Sequence, residues 1–408
     1  MRRLALLPFL LPSVLAAQEA DTTLAGRVQS LEDLVRILRQ QVGDLSGAAL
    51  VPREGYRVEL GGTVLMNGFH NNAEVNHSDV PMFTLPPDPP GGLPAEALGA
   101  SVRQTRLSLF ALAPTVLGAA LTGELDVDFF GGQPTAGGGR FPILRIRRLR
   151  ADLVWQHAAV MVGQEDPLIS ELNPSSLATI GIPGFSGSGN LWLWIPQVRV
   201  GASAGRAVRG GADVAVLAPT GASQQDDRAE RSGRPFVQGR LFARWGDPES
   251  LSEISAGGHV GWLATTGDSL LSSKALAASA HLAITRYLEI RGEAFTGQAL
   301  GVLGGGGIGQ SLGVGGVPVR TVGGWGQVAL HPVPVLEVGG GFGMDNPDDA
   351  DLDPATARLE NRTFSGFLTW RPHPLLLGVE FRRTGTTYGP AVGQVWNNHV
   401  NVAMGFVF

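Results

Sequence analysis

From Trp396 to Phe408 the chain alternates without a break. Trp396, Asn398, Val400, Val402, Met404, Phe406 and Phe408 fall on one side of an extended strand; Asn397, His399, Asn401, Ala403, Gly405 and Val407 fall on the other. A strand with one apolar and one polar face lies either on a soluble core or in the wall of a transmembrane barrel, where lipid meets one side and a wet lumen the other. The aromatic finish, downstream of an export signal, points to the barrel.

Totals agree with that reading. The mean hydropathy is +0.10, and beyond the first twenty residues there is no apolar run long enough to cross a bilayer as a helix. A barrel produces this combination because each strand dilutes its lipid face with lumen residues. The 58 glycines in 408 residues are about twice the usual share, which suits bends, bulges and thin walls. With no cysteine, disulfides and thiolate metal sites are excluded. A formal charge of −5 argues against a nucleic-acid partner. Lys274 is the sole lysine, so nearly every cation is an arginine, the side chain that binds carboxylate and phosphate bidentately.

Residues 1–17 read as a signal peptide: Arg2 and Arg3 precede the apolar stretch Leu4 to Leu15, and Ala16 and Ala17 offer small residues for cleavage. Within 18–50, Leu24, Val28, Leu31, Val35, Leu38, Val42 and Leu45 recur at alternating spacings of four and three, the pattern of a short periplasmic coiled coil. So short a helix is marginal alone and would join copies of a chain that already associates. A lone amphipathic helix on the barrel mouth is the alternative.

From Tyr56 the period becomes two. Candidate strands lie near 56–68, 103–112, 119–130, 145–156, 158–165, 195–203, 210–218, 236–245, 255–264, 275–284, 287–296, 322–331, 334–343, 361–370, 375–384 and 396–408. The fold class is therefore all-β, a sixteen-stranded antiparallel transmembrane barrel over 56–408. Its connections alternate short and mostly long, as periplasmic turns and extracellular loops do in outer-membrane barrels. Trp155, Trp245 and Trp370 each precede a short turn and would share one interfacial belt.

Parity assigns the lumen. In the third strand Leu121, Leu125, Val127 and Phe129 oppose Thr122, Glu124, Asp126 and Asp128, and a row of acids cannot face lipid. The second strand sends Arg106 and Ser108 inward. In the fourth the phase slips at Arg147-Arg148, as a bulge would cause, leaving Arg148, Arg150 and Asp152 inside. Further along, Arg199, Arg240, Arg244, Arg291 and Arg382 share the lumen with Glu289, Glu293, Glu337 and Glu380. Such charges either pair across the ladder and stiffen the wall, or form a positive ring that attracts anions. Arg199 and Arg240 have few acids close in sequence and are the preferred solute contacts. The segment 166–194 is too apolar for a wholly solvated loop and is expected to fold into the barrel, with capping the outside or meeting a neighbouring subunit as the alternatives.

The order Val102-Arg103-Gln104-Thr105-Arg106-Leu107, Gly123-Glu124-Leu125-Asp126-Val127-Asp128-Phe129-Phe130-Gly131, Leu149-Arg150-Ala151-Asp152, Val162-Gly163-Gln164 and Pro196-Gln197-Val198-Arg199 resembles that of DcaP-type porins. The phosphate-selective porins are similar more distantly. The resemblance covers roughly residues 24 to 205 and the final strand. It implies a homotrimeric outer-membrane porin of a Gram-negative-type bacterium that passes small organic anions such as dicarboxylates, with Arg106, Arg150 and Arg199 in the lumen. Such a protein would have outer-membrane lipid and lipopolysaccharide around it, small-molecule solutes passing through it, and no cofactor. The chain departs from the family at Glu165-Asp166-Pro167, which adds two acids near the constriction.

Weaker signals point elsewhere. Asp349, Asp351 and Asp353 have a calcium-like spacing without the glycine and distal glutamate of an EF-hand, so a solvated acidic loop is the simpler reading. His399 faces the lumen without a second ligand at metal spacing. No nucleophile, base and orienting group stand together, so an enzyme is not expected. An envelope tether acting through the coiled coil, or a general and weakly selective porin, are the alternative functions.

Overall fold

A computed structural model of the chain describes residues 55–89, 91–131, 142–221, 227–247, 250–266 and 269–408, together with the backbone of Ala48–Ala49. The expected signal peptide and nearly all of the expected coiled coil lie outside these residues. Sixteen antiparallel staves close into a barrel. The first eight are β1 (Arg57–Asn71), β2 in two pieces (Ala97–Ser101 and Arg106–Val116), β3 (Ala119–Asp128), β4 (Arg145–Val154), β5 (Ala158–Glu165), β6 (Ile195–Ala204), β7 (Val208–Leu217) and β8 (Phe236–Trp245). The second eight are β9 (Ser252–Ala264), β10 (Leu270–Thr285), β11 (Leu288–Gln298), β12 (Arg320–Val333), β13 (Leu336–Pro347), β14 (Glu360–Trp370), β15 (Leu375–Thr387) and β16 (Gln394–Val407). Each pairs with its neighbours in sequence, and β16 closes on β1 with Phe406 opposite Val64 and Val400 opposite His70.

Alternation decides which side each residue takes. Val198, Val200, Val214, Leu241, Leu276, Phe342, Phe364, Phe381, Val402 and Met404 all point outward and are exposed, a belt of apolar surface far larger than water tolerates on a soluble domain. Their strand neighbours Gln238, Arg240, His259, Glu293, Gln327, Thr363, Glu380 and Asn401 point inward and are buried. This inversion of the globular pattern is what a lipid-facing barrel requires. Short connections such as 117–118, 155–157, 205–207, 286–287 and 334–335 gather at one end, whereas 72–96, 166–194 and 299–319 lie at the other. Trp155, Trp245 and Trp370 all sit at the short-turn end.

Two local departures shape the interior. At β4 the ladder skips a residue: Asp126 pairs with Arg148 and Val127 with Ile146, so Arg147 is the extra residue of a bulge. The second stave differs from the single strand expected over 103–112. Its outer piece pairs with 67–71 and its inner piece with 57–63, and between them the backbone turns so that Arg103 is buried.

Candidate functional site

The inward charges include two groups around the expected solute contacts, while Arg291 pairs with Glu289 on β11 and Arg382 with Glu380 on β15. On β2 to β5, Arg106 meets Asp126, Arg145 meets Asp128 at 2.6 Å, and Arg148 meets Glu165 at 2.8 Å as well as Asp166. Arg150 reaches Glu124 at 3.1 Å and Glu165 at 2.8 Å. Six of the expected lumen residues, Arg106, Arg148, Arg150, Glu124, Asp126 and Asp128, are thus brought together as rungs of adjacent strands.

Arg199 and Arg240 belong to the second group, on β6 to β9. They have few acids close in sequence, yet acids close in space hold both. Arg240 is held by Asp213 at 3.0 Å, by Glu253 at 3.2 Å and by Glu171, and Arg199 is held by Glu171. Neighbouring strands and the long loop supply these acids, which is why closeness along the sequence did not find them.

Within the first group, three arginines are more exposed than four of the acids. Arg106, Arg148 and Arg150 are 25–26% exposed, whereas Asp126, Asp128, Glu165 and Asp166 are 0–6% exposed. Arg244, paired with Glu253, is 36% exposed. These four carboxylates are recessed beside the guanidiniums that pair with them, while Glu124 and Asp152, the other partners of Arg150, are 16% and 21% exposed, so the lining offers both signs with these three guanidiniums the more exposed.

Segment 166–194 is fastened to inward-facing side chains around the barrel. The Ile169 amide donates to Gln238 on β8, and Ser170 and Leu172 both donate to Glu293 on β11. Gln327 on β12 accepts from the Ser175 amide at 2.7 Å and donates back to its carbonyl at 2.9 Å. Beyond these, Ser176 meets Glu380, Asn67 donates to the Leu177 carbonyl, and Ser188 meets Thr363. Leu168, Ile169 and Leu191 pack with Leu217, Phe236, Leu263, Leu300 and Leu303 into an apolar core, joined by the Leu193 amide donating to the Leu303 carbonyl at 3.1 Å. These contacts explain the loop's apolar composition.

The loop also carries charge. Arg199 and Arg240 outweigh the effect of burial on Glu171 and hold its carboxyl below the usual range. Burial raises Asp166 to about 6, with the neighbouring Glu165 adding to the rise against the pull of Arg148. In the acidic outer loop, Asp348 and Asp351 bind Arg320 at 2.9 Å each. Among the described residues no cluster of three or more acids and histidines is placed to hold a metal.

Among solved structures, the outer-membrane channel DcaP of Acinetobacter baumannii superposes with a TM-score of 0.67, covering 88% of this chain and 100% of its own at 19% identity. The barrel has the DcaP fold. Other barrels superpose on this DcaP fold less closely. The anion-selective porin of Comamonas acidovorans gives a TM-score of 0.53, covering 86% of this chain and 100% of its own at 13% identity. OmpF of Salmonella typhi gives 0.54, covering 88% of this chain and 99% of its own at 9% identity. No protein-family profile and no curated protein matches the sequence.

Proposed function

We propose that the chain is an outer-membrane porin through which small hydrophilic solutes diffuse passively, with a preference for anions such as dicarboxylates or phosphate. The observation that carries this reading is the exposure of Arg106, Arg148, Arg150 and Arg244 in front of recessed carboxylates. A solute crossing such a lining exchanges part of its hydration for guanidinium contacts that bind it too weakly to retain it. The fold neighbours support the channel reading, since they are described as an outer-membrane channel and an anion-selective porin. A homotrimer with its coiled coil in the periplasm completes the proposal.

A second reading, a weakly selective general porin, is favoured by the pairing of each of these arginines with an acid. Planar-bilayer recordings under a salt gradient decide between them. A reversal potential on the anion side supports anion preference. A value near zero supports the general porin, and absence of current in a correctly folded protein returns the envelope tether.

A further inference from the structure

Glu171 differs from every other acid around Arg199 and Arg240. Asp213 and Glu253 stand on the wall, in β7 and β9, and pair with Arg240. Glu171 stands on the 166–194 segment and reaches the wall from inside the barrel. One of its oxygens accepts from Arg199 and the other from Arg240, so a single carboxylate bridges two guanidiniums on different strands. A carboxylate bound through each oxygen to its own guanidinium is how an arginine pair recognises a free carboxylate ligand.

Without Glu171, Arg199 would lose its direct ion pair and keep only the longer-range attraction of Asp152. Its cross-strand neighbours are Met161 and Ala215, and among the described residues Glu171 is its one carboxylate partner. Its other contacts are the Asp166 carbonyl and the Gln197 amide oxygen, both at 3.1 Å, which carry no full charge.

The backbone that carries Glu171 is fixed separately. The Ser170 hydroxyl and the Leu172 amide, one on each flank, both donate to Glu293 across the barrel. These anchors do not involve the Glu171 side chain, so the carboxylate can leave the arginine pair by side-chain rotation while the loop stays in place. Glu171 is 23% exposed, against 13% for Arg199 and 4% for Arg240, so its carboxylate covers the arginine pair from the water side.

From this geometry we infer that Arg199 and Arg240 form a carboxylate-binding station which Glu171 occupies at rest, and that a permeating carboxylate enters by exchanging with it. The inference rests on the porin reading and names the solute group that the station selects. Glu171 acts as a tethered competitor. It keeps the paired arginines neutral between solutes, and it weakens solute binding so that release stays fast.

Competition makes the test quantitative. The apparent affinity of a site open only a fraction of the time falls by that fraction. If Glu171 occupies the pair for nine-tenths of the time, Glu171→Gln lowers the succinate concentration that half-blocks the chloride current by about tenfold. The same variant raises the anion-over-cation permeability ratio. Glu171→Asp, shorter by one methylene, falls between the two. In an Arg199→Gln background, where Glu171 keeps only Arg240, Glu171→Gln produces a clearly smaller gain in succinate block, as expected for coupled residues. The station is overturned if wild type conducts and correctly folded Glu171→Gln matches it in both reversal potential and succinate block, or if the gain persists undiminished in the Arg199→Gln background. Absence of current in wild type overturns the porin reading itself, and the station with it.

Discussion

Arg103 grips Asp79 through hydrogen bonds of 2.7–3.1 Å, and each side chain is 1% exposed. The pair ties the outer loop that precedes β2 to the gap between the two pieces of that strand. The Arg103 guanidinium also lies 4.0 Å over the Phe130 ring, so the clasp reaches the end of β3.

Removing one partner of a buried ion pair strands the other charge. Asp79→Ala should destabilise the barrel by about 3–5 kcal/mol, read as a lower urea midpoint for refolding into lipid. Asp88→Ala, on the exposed part of the same loop, should leave the midpoint within about 0.5 kcal/mol.

Substitution of the inner arginines should change selectivity in one direction. Arg199→Ala and Arg240→Ala each remove a cation and leave acids behind, Glu171 in the first case and Asp213, Glu253 and Glu171 in the second. Reversal potentials should show anion-over-cation permeability falling in both variants and by a similar factor, about threefold, because each removes one cation while Glu171 keeps its other arginine and Glu253 keeps Arg244. Unchanged potentials in both variants would remove these residues from the solute path.

Asp166 gives a pH dependence. Burial holds this loop carboxyl at about 6, above its unfolded value, so its ionised form costs stability at neutral pH, and that cost is relieved progressively as pH falls from 6 toward the unfolded value. Between pH 7 and pH 5 the barrel should become more stable and, with one acid beside Arg148 neutralised, more anion-selective. Asp166→Asn should shrink both changes, measured by thermal unfolding and by reversal potential, leaving what other buried acids contribute to stability. Glu171, held low by its two arginines, stays ionised across this window and does not contribute.

Gly189 is where the inner segment touches the wall. Its φ is +100°, and a Cβ there would lie 2.2 Å from the Gly324 carbonyl oxygen. Gly189→Ala should cost about 1–3 kcal/mol and speed hydrogen exchange at the Ser188 and Asn190 amides, which both bond the Phe185 carbonyl. Gly68, with open space around its Cβ position, is the control and should tolerate alanine.

Much of this architecture was legible in the chain because a barrel wall has a period of two, and lipid and lumen impose opposite chemistries on alternate residues. All sixteen staves fall where the alternation puts them, and the slip at Arg147 is a bulge. The break in β2 escaped notice because Arg103 turns inward to an acid 24 residues away in sequence, and no local pattern encodes that. The acids around Arg240 escaped for the same reason: Glu171 is 69 positions distant. Spacing along a strand tells which face a residue takes, but not which loop returns to meet it.

The seam joining β16 to β1 has a consequence for assembly. Phe408 exchanges two backbone hydrogen bonds with Gly62, at 3.0 and 3.1 Å, a contact spanning nearly the whole barrel sequence. Until that seam forms, the sheet is an open ribbon with two unpaired edges, and each edge is a template for adding foreign strands. Closure brings together the most distant segments of the barrel and so bears a large share of the loop-closure entropy. The wall therefore completes in one cooperative step, and a β16 weakened at its pairing positions would yield a sticky, aggregation-prone sheet instead of a narrower pore.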